Sequence, residues 1–115
     1  MKINQGQLYS ALNEYIEREI MPLGASLNMT EQFMFYFKMG IAKRKLDGIV
    51  KNAFTRGKST IFSVVDEDGN IDVDTLYQSA NDAMAQMRQI ELGGITFRSE
   101  DLQKLYGIIQ KYAAQ

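Results

Sequence analysis

Between Thr30 and Phe54 the chain places apolar side chains at Phe35, Met39, Ala42, Leu46, Ile49 and Ala53, stepping by four and three residues without a break. That spacing returns to one face of a 3.6-residue helix. Continued over the whole stretch, at ~1.5 Å per residue, it predicts a rod roughly 35 Å long. Asn28 with Glu31 three residues later fits a capping box, and Thr30 is a competing cap. A rod of this length dictates a mainly helical fold, because its single stripe has to be met by other amphipathic elements.

The rod begins unusually. Phe33-Met34-Phe35-Tyr36-Phe37 sets large apolar groups around more than one full turn. A helix apolar on every side calls for cover on every side, and a small bundle wraps the end of one helix on two or three. Phe33, Phe35, Tyr36 and Phe37, with Met34 and Met39, are therefore candidates for an interface with a protein partner or a second copy. Aromatic and methionine side chains are the types enriched at interface centres. The competing reading places the same cluster in the core at the bundle's end.

Three further helices are expected. The first covers Gln7 to Met21, with Leu8, Leu12, Ile16 and Ile20 in register and Tyr15 beside them; Pro22, the only proline, ends or kinks it at Met21. The third runs from Thr75 to about Ile90, capped by Asp74, with Leu76, Ala80, Ala83, Met84, Met87 and Ile90 inward. The fourth follows a Ser99 cap, with Leu102, Leu105, Tyr106, Ile109, Tyr112 and Ala113 on its apolar face. Arg56-Gly57-Lys58 reads as a break, and Ser59 to Val65 as helical or irregular despite its β-branched content. Ile71-Asp72-Val73 and Ile95-Thr96-Phe97 alternate as short strands. Too short to stand alone, they are expected to pair with each other. The predicted fold is thus one four-helix domain over residues 1–115 with a short two-stranded β element, strands near 71–73 and 95–97.

The absences narrow the chemistry. The chain has no His, Cys or Trp. That removes the usual zinc sets, haem ligation, thiol chemistry and the Ser-His-Asp and Cys-His systems, and no cofactor is implied. Disulfides are impossible, so packing alone holds the fold. No run approaches the ~18 apolar residues of a membrane span, and Met1 to Gly6 do not resemble a signal peptide; a cytoplasmic protein is expected. Glu14, Glu17, Glu19, Glu31, Asp66 and Asp68 are formally available for acid/base work. Nothing in the pattern marks one as buried, and solvated surface acids are the favoured reading.

Two charged segments are the remaining candidates. From Lys38 to Lys58 the basic residues Lys38, Lys43, Arg44, Lys45, Lys51, Arg56 and Lys58 face only Asp47, a local +6 in a chain of net charge −1. Such a face supports an alternative reading as a nucleic-acid-binding accessory protein, although no recognition motif accompanies it. The bland reading is a solvated helix face. The second segment, Asp66 to Asp74, carries five carboxylates that are available to answer the basic one. Its sequence Asp66-Glu67-Asp68-Gly69-Asn70-Ile71-Asp72 resembles the second half of an EF-hand calcium loop. With Gly69 as the sixth position, the first and twelfth fall on Val64 and Thr75, so both ligands that close such a cage are missing. A degenerate calcium-binding module is the second alternative. An Asp-rich turn that satisfies its own backbone and caps a helix is the simpler account.

The segments Glu19-Ile20-Met21-Pro22-Leu23, Gly40-Ile41-Ala42-Lys43-Arg44-Lys45-Leu46, Asp68-Gly69-Asn70-Ile71-Asp72 and Lys104-Leu105-Tyr106-Gly107-Ile108-Ile109 are similar to those of small helical proteins of Gram-positive bacteria and their prophages. Those segments have no assigned chemistry to carry over. The resemblance implies an assembly or accessory role, with a place in the virion if the chain is phage-encoded. The leading expectation is a non-enzymatic structural or protein-interaction module.

Overall fold

The computed structural model describes residues 1–54, 65–87 and 89–115. Strand β1 (Lys2–Ile3) leads into α1 (Gln5–Tyr15), a π-helical turn (Ile16–Ile20) and a 3₁₀ segment (Met21–Ser26). Helix α2 (Met29–Ala53) follows. Then come β2 (Ile71–Asp72), α3 (Val73–Met87), the strands β3 (Ile90–Leu92) and β4 (Ile95–Phe97), and α4 (Ser99–Ala113). Among the described residues the fold is mainly α, with four α-helices and short β elements, as the apolar periodicities predict.

The core lies chiefly between α1 and α4. Leu8, Ala11, Leu12, Tyr15 and Ile16 meet Leu102, Leu105, Ile108 and Ile109, and Phe97 is fully enclosed below them, its ring 5.4 Å from that of Tyr15. Helix α2 contributes only Ala42, Leu46 and Val50 as fully buried residues, all from its second half. Burying a Leu or Ile is worth about 1.5–3 kcal/mol, so this nineteen-residue cluster is where the fold's stability resides.

The strands are present, but their pairing differs from expectation. The segments near 71–73 and 95–97 do not pair with each other. Ile71–Asp72 runs antiparallel to Lys2–Ile3, with Ile3 opposite Ile71. Ile95–Phe97 closes a hairpin with Ile90–Leu92. The hairpin is set by Gly93 (φ 62°) and Gly94 (φ 87°), consecutive positive φ values that suit a two-residue turn. Ile90, expected to end the third helix, instead begins the hairpin. The first strand was invisible to periodicity because two residues carry no pattern, yet Ile3 is completely buried and the Met1 carbonyl accepts the Val73 N–H at 2.9 Å.

Helix ends also shift. Asn4 and Gln7 form a reciprocal capping box, so α1 starts at Gln5. Its α geometry stops at Tyr15, six residues before the expected end. Pro22 offers no N–H and crowds the preceding turn; the chain answers with a π turn closed by the Met21 N–H on the Ile16 carbonyl. Helix α2 begins as predicted, with Asn28 accepting the Glu31 N–H at 2.9 Å. Helix α3 is capped by Asp72, not Asp74: the Thr75 N–H (2.9 Å) and hydroxyl (2.8 Å) both donate to Asp72. Asp74 has moved one step inside the helix and accepts the Tyr106 hydroxyl at 2.6 Å. Ser99 is the first residue of α4 and Arg98 holds the cap position, where its N–H donates to the Asp101 carboxylate. The reading of Ser59 to Val64, and the break at Arg56-Gly57-Lys58, lie outside the described residues.

Two outcomes follow. Leu46, 2% exposed, is expected to cost about 2–5 kcal/mol when replaced by Ala, measured by urea unfolding; a loss below ~1 kcal/mol contradicts its place in the core. Asp72→Ala is expected to lower the melting temperature more than Asp74→Ala, because only the former removes the helix cap; the reverse order contradicts the capping assignment.

Candidate partner interface

The first half of α2 stands away from the α1–α4 core. Its inward face is covered by the 3₁₀ segment, which the Gln32 side-chain amide ties down by donating to the Leu27 carbonyl at 3.1 Å. Gly24 is buried against Phe35 and Tyr36; a Cβ there would come within 2.8 Å of the Phe35 ring. Phe35 and Tyr36 themselves meet edge-to-face at 5.3 Å. One side of the aromatic turn is therefore closed by a local lid of six residues.

The opposite side is open. Phe33 is 71% exposed, Phe37 60%, Met34 47% and Tyr36 41%, with Met29 and Ile41 continuing the surface. At 100° per residue, Phe33, Phe37, Met29 and Ile41 lie across the helix from Ala42 and Leu46. The structure thus separates the four aromatic candidates. Phe33 and Phe37 lie on the open face, Tyr36 at its edge with part of its ring against Gly24, and Phe35 half-buried on the lid side. Met29 and Ile41 were not named from the sequence. The signal was there: Met29, Phe33, Phe37 and Ile41 form an unbroken every-fourth-residue row.

The basic stretch does not form one stripe. Lys43 points toward the π turn and pairs with Glu17, whereas Lys38, Arg44 and Lys45 are exposed on other sides of α2. Arg56 and Lys58 lie outside the described residues. The acidic segment answers the amino terminus and α4. Lys2 sits 3.2 Å from Asp66, the terminal amine 3.8 Å from Asp72, and Tyr106 bonds Asp74. Within the turn, one Asp66 oxygen accepts the Asp68 and Asn70 N–H groups, both at 2.9 Å, and Gly69 takes φ 79°. That is an Asx turn satisfying its own backbone. Among the described residues no three acidic groups converge as a cation site.

Five of the carboxylates considered for acid/base work hold structural contacts, Glu17 with Lys43, Glu19 with Lys104, Asp66 with Lys2 and Glu31 with Asn28 among them. Glu14 accepts from Lys111 (2.7 Å), the Tyr112 hydroxyl (2.9 Å) and Arg18 (3.3 Å), fastening α1 to α4. The Lys111 bond, with Tyr112 next, holds its carboxyl below the ordinary 4.5. Asp66 is lowered first by the Asn70 N–H, and Asp72 first by the Thr75 hydroxyl. A general acid working near neutrality needs a shift in the other direction. Burial pushes the Tyr15 phenol up, with the Asp101 charge adding to it.

A cavity of about 100 Å³ lies between the helices, lined by Leu8, Leu46, Val50, Phe97, Leu105 and Ile109 among others. Among the described residues its walls are apolar, the polar side-chain groups there being the phenols of Tyr77 and Tyr106, whose rings stack at 4.1 Å. No helix among the described residues is long and apolar enough to cross a membrane. Comparison with protein-family models, with curated protein sequences and with solved structures finds no match.

Because Glu14, Asp66 and Asp72 are all more acidic folded than unfolded, their contribution to stability is complete above the ordinary carboxylate range. It is lost as pH falls through their lowered values. The melting temperature is expected to hold down to about pH 5 and to fall below about pH 4, with a shallower acid limb in Glu14→Gln. A melting temperature that rises on acidification contradicts these assignments.

Proposed function

We propose that this protein is a non-catalytic interaction module that docks through the open apolar face at the start of α2. The observation that carries the reading is the exposure of Phe33 and Phe37, two phenylalanines one helical turn apart on the side of α2 facing away from the core. Apolar patches on a monomer's surface rarely exceed a few hundred Å² unless they serve recognition. Met29, Met34, Tyr36 and Ile41 surround the pair with the residue types that fill interface centres.

The architecture suits such a role. The core is built from other elements, so the docking face makes no demand on it. The Asn28 cap and the lid of residues 21–26 hold the aromatic turn in shape before any partner arrives, which lowers the ordering cost of binding. Of the acids offered for catalysis, Glu14, Glu17, Glu19 and Asp66 are engaged in ion pairs and Glu31 accepts from the Asn28 cap. An assembly or accessory role, of the kind the prophage resemblance implies, is performed by binding of this sort.

The test is a photo-reactive amino acid placed at position 33 or 37 in the living cell. Adducts of increased mass are expected at both positions, and none at Glu67 on the acidic turn. Equal yields at all three positions, or none at 33 and 37, would overturn the reading.

A further inference from the structure

Resting on that docking role, we infer that the occupant of the open α2 face is a second copy of this chain, its α2 laid antiparallel across a two-fold axis near residue 35. Two observations converge on this. The first is area. At on the order of 200 Å² for a large side chain, the open fractions of Met29, Phe33, Met34, Tyr36, Phe37 and Ile41 amount to roughly 700 Å². A standard interface takes ~800 Å² from each partner, and the largest patch on an ordinary monomer is about 300–600 Å².

The second is self-complementarity. A two-fold interface places the same patch on both subunits, so the pattern must match itself read backwards. On this face it does. In an antiparallel pair centred on residue 35, Met29 meets Ile41 of the other copy, Phe33 meets Phe37, and Thr30 meets Gly40. The small partner at each end of the contact favours close approach, since nothing lies within 4 Å of a Cβ placed on Gly40.

Light scattering from low micromolar to several hundred micromolar protein is expected to approach twice the 13.1 kDa of one chain. Phe33→Glu with Phe37→Glu should weaken self-association by ~30-fold or more while leaving the circular dichroism spectrum unchanged. The register has its own readout, with the aromatic anchors intact. The chain has no cysteine, so Thr30→Cys mixed with Gly40→Cys is expected to form the mixed disulfide in preference to either like pair. A single-chain mass throughout, a dimer indifferent to the double Glu variant, or preferential like-with-like disulfides would each overturn the inference. Photo-adducts at position 33 to a different polypeptide, with the purified protein monomeric, would sink the second copy while upholding the docking role.

Discussion

The seam between α1 and α4 is the contact on which everything else rests. Leu8, Leu12, Tyr15 and Ile16 close over Leu105, Ile108 and Ile109, with Phe97 sealed beneath. Glu14 locks the outer edge of the seam by accepting from Lys111 and Tyr112 of α4. Once those two helices are joined, α2 needs to offer the core only Ala42, Leu46 and Val50. The remainder of a 25-residue helix is left to project, which is why the molecule measures 48 Å in one direction and 27 and 25 Å in the others. The aromatic turn is exposed because of this economy in the core.

Most of the helical architecture was legible because each helix writes its buried face at a fixed spacing. Leu8 and Leu12 in α1, Ile16 just after it, and Leu102, Leu105 and Ile109 in α4 are buried as the pattern demands. What failed to read was whatever depends on distant partners. Ile3 has no periodic neighbours, and only the folded chain reveals Ile71 opposite it. Asp72 and Asp74 are equally good caps by composition. The choice was made by Tyr106, thirty-two residues away, which engages Asp74 and leaves the helix end to Asp72. Pro22 marks the break in the sequence, but its effect spreads backward through a π turn that no propensity scale describes.

The candidate interface was half legible. An all-round apolar turn announces that something must cover it, and Phe33-Met34-Phe35-Tyr36-Phe37 did so. Which side the molecule covers itself depended on Gly24, whose missing side chain lets the 3₁₀ segment lie against Phe35 and Tyr36. That contact sorts the four aromatics into a held side and an open side. Met29 and Ile41 lie outside the dense run, on the sparser every-fourth-residue row that extends from it.

The pairing of Lys2–Ile3 with Ile71–Asp72 has a consequence for how the chain is made. During synthesis Lys2–Ile3 meets its strand partner only after some seventy more residues have been joined, a wait of roughly 4–14 s at ~5–20 residues per second. Until then Ile3 has nowhere to bury itself, and α1 must emerge without its sheet anchor. Knitting this strand to one so far downstream makes the closure a late, long-range event.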